Sequence, residues 1–175
     1  MSTTKWTLDP AHSELQFKVK HLMIANITGT FGIIGGNVET SDDEFHHAKV
    51  SFTADPKSIN TNNEQRDGHL KNADFFETEK FPEIKFESND FDAASGKIEG
   101  KLTMKGVTKP VKLDVEFNGT TKDPWGNEKA GFSLNGKISR KDWNLNWNAA
   151  LETGGVMVSD DVKIIAEVQL AKQAA

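Results

Sequence analysis

The residues able to do acid–base, metal or nucleophilic chemistry are few and scattered. His12, His21, His46, His47 and His69 show neither an H-x-x-x-H nor an H-E-x-x-H spacing, so the pattern indicates no metal site. His46-His47 sits in a polar loop and reads as a solvated pair. There are no cysteines, which excludes disulfides, thiolate ligands and cysteine nucleophiles. Asp9, His12 and Ser13 are the residue types of a hydrolase triad, but sequence neighbours do not make one, and no G-x-S-x-G elbow occurs. Gly35-Gly36 and Gly154-Gly155 do not match a phosphate-cradling loop. The expectation is a protein with no catalytic residue, metal or cofactor.

Two ionisable residues do stand in suggestive places. Arg140 continues the parity of Phe132, Leu134 and Ile138, and His21 continues that of Leu15, Phe17 and Val19. Each lies at a strand end, where an inward side chain faces the mouth of a barrel. Two roles are open for Arg140. It could hold an anionic head group bidentately, or pair internally with Asp142 or Asp67 and brace a helical segment to the barrel. The same alternatives apply to Arg66.

The elements that must position these residues are strands. Leu15, Phe17 and Val19 alternate with polar residues, as do Val50, Phe52 and Ala54. Ile84 and Phe86 follow, then Ile98, Leu102 and Met104, then Val111 to Phe117, Phe132 to Ile138 and Val162 to Leu170. This is the period of half-buried strands. Thr28 to Thr40 is Gly-rich and apolar on both parities, which predicts a bent strand. One segment differs. Thr61-Asn-Asn-Glu64 reads as a capping box with Thr61 at the N-cap, opening a short surface helix over 62–73 anchored by Phe75 and Phe76.

The 175 residues suffice for one domain spanning 1–175 with a core of its own. Lys and Arg total 21 against 26 Asp and Glu, a net charge of −5, which argues against nucleic acid as partner. No apolar run approaches the roughly 20 residues of a transmembrane helix. The first ten residues lack the apolar core of a secretory signal, so a cytoplasmic chain is expected. Ala171 to Ala175 reads as a frayed tail.

With one dry face per strand and no helices to cover it, the expected fold is all-β: an antiparallel barrel of about eight strands with one short helix. Such an interior is either filled by side chains or holds one small ligand. Ala54, Gly100, Gly136 and Ala166 lie on apolar parities, where they either leave room inside or mark strand bends. Phe17, Phe86, Leu113, Phe132 and Leu134 belong to the dry face. Trp143, Leu145 and Trp147 share one parity of a further strand and form an apolar wall. The candidate ligand-binding residues are therefore Phe17, His21, Phe86, Leu113, Phe132, Leu134, Arg140 and Trp143.

Several motifs resemble the YceI-like, polyisoprenoid-binding family from about Trp6 to Leu170. They begin with Leu8-Asp-Pro-Ala-His-Ser13, Phe17-Lys-Val-Lys-His-Leu-Met23 and Gly29-Thr-Phe31. The most specific runs from Ser58 to Phe76 through Asn62-Asn-Glu-Gln-Arg-Asp-Gly-His-Leu70. Phe81 to Ser88, Gly100 to Val111 and Arg140-Lys-Asp-Trp143 follow in order. Asn144 departs from the glycine expected next. The resemblance implies a lipocalin-like barrel whose apolar lumen holds an isoprenoid chain, such as a quinone or a polyprenyl phosphate tail, without catalysis. Many members carry a signal peptide and act in the periplasm.

At about 0.3 kcal/mol per heavy atom, a tail of roughly 40 carbons could contribute about 12 kcal/mol, a nanomolar affinity without polar contacts. Rival readings are an enzyme or stress-response protein acting on a small apolar substrate in the same lumen, and a filled barrel used as an interaction module. A homodimer stays open as an assembly.

Overall fold

A computed structural model describes residues 3–22, 24–42, 44–73, 75–145 and 158–173. Its nine strands are β1 (Thr4–Leu8), β2 (Glu14–His21), β3 (Ala25–Thr40), β4 (Ala48–Asn60), β5 (Ile84–Phe91), β6 (Lys97–Met104), β7 (Val107–Lys122), β8 (Glu128–Ser139) and β9 (Asp161–Lys172). One α-helix, α1 (Glu64–Lys71), follows β4. No helix among the described residues is long and apolar enough to cross a membrane.

Every pairing between these strands is antiparallel, and the β3–β4 pairing closes the sheet on itself. The nine strands occupy eight positions around the barrel. β1 and β2 both pair with β3 and with β9, at different heights. They are one strand position interrupted at Pro10–His12, where Asp9 caps a 3-10 turn with its carboxylate on Ala11 N–H. Proline supplies no ladder donor, so the break falls there. The β6–β7 hairpin turns on Lys105 and Gly106, both at positive φ, the two-residue geometry that matches strand twist.

The burial follows the expected parity on β6 and β7, with Ile98, Leu102, Met104, Leu113 and Val115 inside. On β5 a register shift against β4 carries Phe91 inside as well.

Several expectations need correction. The helix is shorter than 62–73, and its N-cap is Asn63, whose side chain accepts from Arg66 N–H at 3.0 Å. Thr61 cannot cap, because its hydroxyl donates to Asp67 and accepts from Arg66 Nε. The tail is not frayed where described: Ala171 and Lys172 belong to β9, and Gln173 bonds Lys5 and Thr7. Trp143 and Leu145 do not begin a strand. Arg140–Trp143 is a 3-10 turn, and Asn144 follows in the left-handed region at φ 61°. Asparagine tolerates that region better than most residues, so it serves where glycine was expected. Trp147 lies outside the described residues.

Candidate functional site

The barrel interior divides into a filled part and a hollow part. At the end carrying β1, Trp6, Phe45, Phe91, Phe117 and Phe132 form an aromatic plug. Phe45 is fully buried, with ring centroids 5.2 Å from Trp6, 5.3 Å from Phe117 and 5.0 Å from Phe132. Phe117 stacks on Phe132 at 4.9 Å. Phe45 reaches this place from the loop after β3 with its backbone at φ 59°. Of the neighbouring histidines, His47 is solvated as expected, whereas His46 is half-buried. His46 Nδ1 lies 3.0 Å from Asp42 and His47 Nδ1 2.9 Å from Asp90. The Asp42 contact raises the His46 pKa above its ordinary value.

Above the plug, toward α1, lies an apolar cavity of about 210 Å³. Helix α1 exposes little apolar surface, yet Leu70 and the following Phe75 and Phe76 line this cavity. The structure brings Phe17, Phe86, Leu113, Leu134 and Arg140 to its wall. It does not bring Phe132, His21 or Trp143 there. Phe132 belongs to the plug, because its strand runs deeper than the cavity. His21 ends β2, paired with Ala25 and bridged to Val158. Trp143 packs in the shell around the cavity, 2% exposed, with its indole N–H donating to Leu102 O at 2.9 Å.

The small residues act in two ways. Ala54 and Ala166 line the cavity. Gly100 and Gly136 serve instead as seats for neighbouring side chains. A methyl on Gly136 would fall 2.4 Å from a Leu113 δ-carbon, and one on Gly100 would fall 2.5 Å from the Glu87 carbonyl oxygen and 2.7 Å from the Phe86 ring. Gly29 seats Phe17 in the same manner, at 2.2 Å. Three lining side chains thus lie flat against the wall instead of projecting into the space. The same device, a ring folded over a cross-strand glycine, stabilises other sheets.

Arg140 is the ionisable residue among those lining the cavity, and it is 4% exposed. Its guanidinium donates to three backbone carbonyls, those of Ser159 (2.9 Å), Val158 (3.3 Å) and Leu145. The acidic neighbour is Asp160 at 3.9 Å, not Asp142 or Asp67. Asp67 accepts from the Thr61 amide and hydroxyl, and Arg66 donates to Thr61. The two arginines therefore brace separate places. Arg66 ties α1 to the end of β4, and Arg140 ties the 140–145 turn to the start of β9. Burial lowers the Arg140 pKa, and Asp160 opposes that shift.

Among the described residues, no group of acidic or histidine side chains could hold a metal ion. Among the described residues the site offers an apolar hollow whose one cation, Arg140, is already engaged by carbonyls.

A family profile described as the YceI-like domain matches residues 6–170. UPF0312 protein SA2479 of Staphylococcus aureus (strain N315) is 43% identical over 169 residues, covering 96% of this chain and 98% of that protein. The crystal structure of a Campylobacter jejuni YCEI protein is similar with a TM-score of 0.70 at 34% identity, covering 89% of this chain and 90% of that one. A polyisoprenoid binding domain from Saccharophagus degradans, implicated in plant cell wall breakdown, shares the fold with a TM-score of 0.68 at 16% identity, over 96% of this chain and 98% of that one.

Proposed function

This chain belongs to the YceI-like family, and from that premise we propose that its barrel binds a polyisoprenoid or similar amphiphilic lipid by its tail and carries it unchanged. The ligand is an isoprenoid quinone or a polyprenyl phosphate. The observation that supports this reading most is the 210 Å³ hollow walled almost wholly by apolar side chains. An engineered apolar cavity of about 150 Å³ stays dry and takes up benzene, so this one favours a larger apolar group over water. The Saccharophagus domain of the same fold is described as binding polyisoprenoids. Non-catalytic carriage fits the chemistry of the wall, whose one ionisable group among the described residues is occupied by backbone carbonyls.

Two measurements test the reading. Mass spectrometry of an organic extract of the purified protein should detect a bound prenyl lipid. Quinones differing only in tail length should quench tryptophan emission saturably, binding more tightly as the tail grows and depending little on salt, because the driving force is apolar burial. Affinity independent of tail length would refute binding in the lumen.

A further inference from the structure

Below the cavity lies a second hollow of about 30 Å³, inside the plug. Three residues line both spaces: Phe52, Leu134 and Val168. Phe52 is on β4, and in the eight-position barrel β4 stands opposite β8, which carries Leu134, with Val168 beside it on β9. The three residues thus stand on different sides of the lumen at the boundary between the two hollows. Phe52 holds its place because its register partner is Gly36. A methyl there would fall 2.1 Å from Phe52 Cδ1 and 2.5 Å from Cε1, so the ring lies flat across the missing side chain. Unlike the fully buried plug ring Phe45, Phe52 is half-buried because it faces the cavity.

We propose that Phe52, seated on Gly36, is the floor of the lumen and sets the longest lipid tail the barrel accepts. This inference rests on the lipid-binding reading. A tail entering past the α1 end descends along β8 from Ile138 to Leu134, about 13 Å of strand, and is stopped there by Phe52. Additional isoprene units remain outside the apolar wall and add no affinity. Removing the ring joins the lower hollow to the cavity and lets the tail go deeper.

The test is the quinone tail-length series, read by tryptophan quenching, on the wild type and four variants. The wild type should tighten with tail length and then reach a plateau. Phe52→Ala should move that plateau to longer tails, with about tenfold tighter binding for each isoprene unit newly admitted. Phe52→Leu, a milder change that preserves an apolar core, should move it in the same direction. Gly36→Ala should push the ring into the lumen and move the plateau to shorter tails. Val50→Ala enlarges the lower hollow beneath an intact floor, and its plateau should stay where the wild type's is. Circular dichroism identifies which variants fold, and the Leu variant carries the test if the Ala variant does not. A wild-type plateau that stays in place in both Phe52 variants would overturn the floor and leave lipid binding standing. A wild type without tail dependence would instead remove the lipid-binding reading itself.

Discussion

Replacing Arg140 with Met separates a structural brace from a head-group anchor. Methionine retains an apolar stem of similar reach and removes the charge. The guanidinium makes at least three hydrogen bonds to carbonyls. Bonds of this kind to a charged donor each contribute about 1.5–3 kcal/mol, so simple addition over three gives about 4.5–9 kcal/mol. That sum is an upper bound. The variant no longer buries a charge, which returns part of the desolvation cost. Asp160 is half exposed and recovers its hydration, so its share is small. A net loss of about 3–4 kcal/mol remains. With a urea slope of about 2 kcal/mol per molar, the unfolding midpoint should fall by about 1.5–2 M. Arg140→Lys should recover less than half of this, because an ammonium cannot present a planar fork to three carbonyls. Binding of quinones and of polyprenyl phosphates should change by the same factor. An unchanged midpoint with weakened binding of phosphorylated prenols alone would refute the brace and make Arg140 a head-group ligand.

Three further outcomes follow from the packing. Phe45→Ala removes the fully buried centre of the plug and should cost about 3–5 kcal/mol in urea unfolding; a loss under about 1 kcal/mol would mean the plug is not cooperative with the barrel. Trp143→Phe removes the indole donor to Leu102 O and should cost about 1–3 kcal/mol, measured the same way against Trp125→Phe, whose ring is 83% exposed and should cost almost nothing. Asp9 has its pKa held below 3.8, first by its hydrogen bond to His12 and then by Lys129 at 3.1 Å, against the opposing effect of burial. Its folded value lies below its unfolded one, so its stabilisation is complete above the ordinary carboxylate range and is lost as pH falls through the folded value. Asp9→Asn should therefore flatten the acid limb of a stability-versus-pH curve measured by urea unfolding, and an acid limb as steep as the wild type's would refute the assignment.

The strands were legible because one wet and one dry face impose a period of two on the residues themselves. Leu113, Val115 and Ile98 lie inside as that period requires. Phe91 and Phe45 were not legible, for different reasons. Phe91 is turned inward by a register shift, which breaks parity without marking the sequence. Phe45 belongs to no strand; a lone aromatic among Asp42, Glu44, His46 and His47 was the available signal. Of the candidate wall residues, Phe17, Phe86, Leu113 and Leu134 reach the cavity. Phe132 shares their parity but lies below the floor, and parity carries no information about height along the barrel axis. Arg140 points inward as its parity requires, but the sequence offers only an anionic head group or acidic side chains as its partners. Its actual partners are carbonyls, which every residue carries and no sequence pattern distinguishes. For Gly136 and Gly100 the sequence leaves room inside and strand bends as equal alternatives, because their role depends on the neighbours that fold over them across the sheet.

The division of the barrel into plug and hollow has an energetic rationale. At about 24 cal/mol per Å³, a cavity of 210 Å³ left unfilled costs about 5 kcal/mol. Net stabilities of domains are about 5–15 kcal/mol, so an empty lumen of this size consumes a large fraction of what a fold this small can hold. Extending the hollow through the whole barrel would remove the Phe45, Phe117 and Phe132 cluster as well, whose packing is among the strongest sources of burial in the chain. The glycine seats reduce the cost on the hollow side, because Phe17, Phe86 and Leu113 remain packed against backbone even when nothing fills the lumen. An apolar occupant would restore the missing contacts and bind only the folded chain, so occupancy and stability should rise together. A finite hollow above a solid plug thus ties two properties to one element: the packing that keeps the unfilled barrel folded also limits how deep a tail can go.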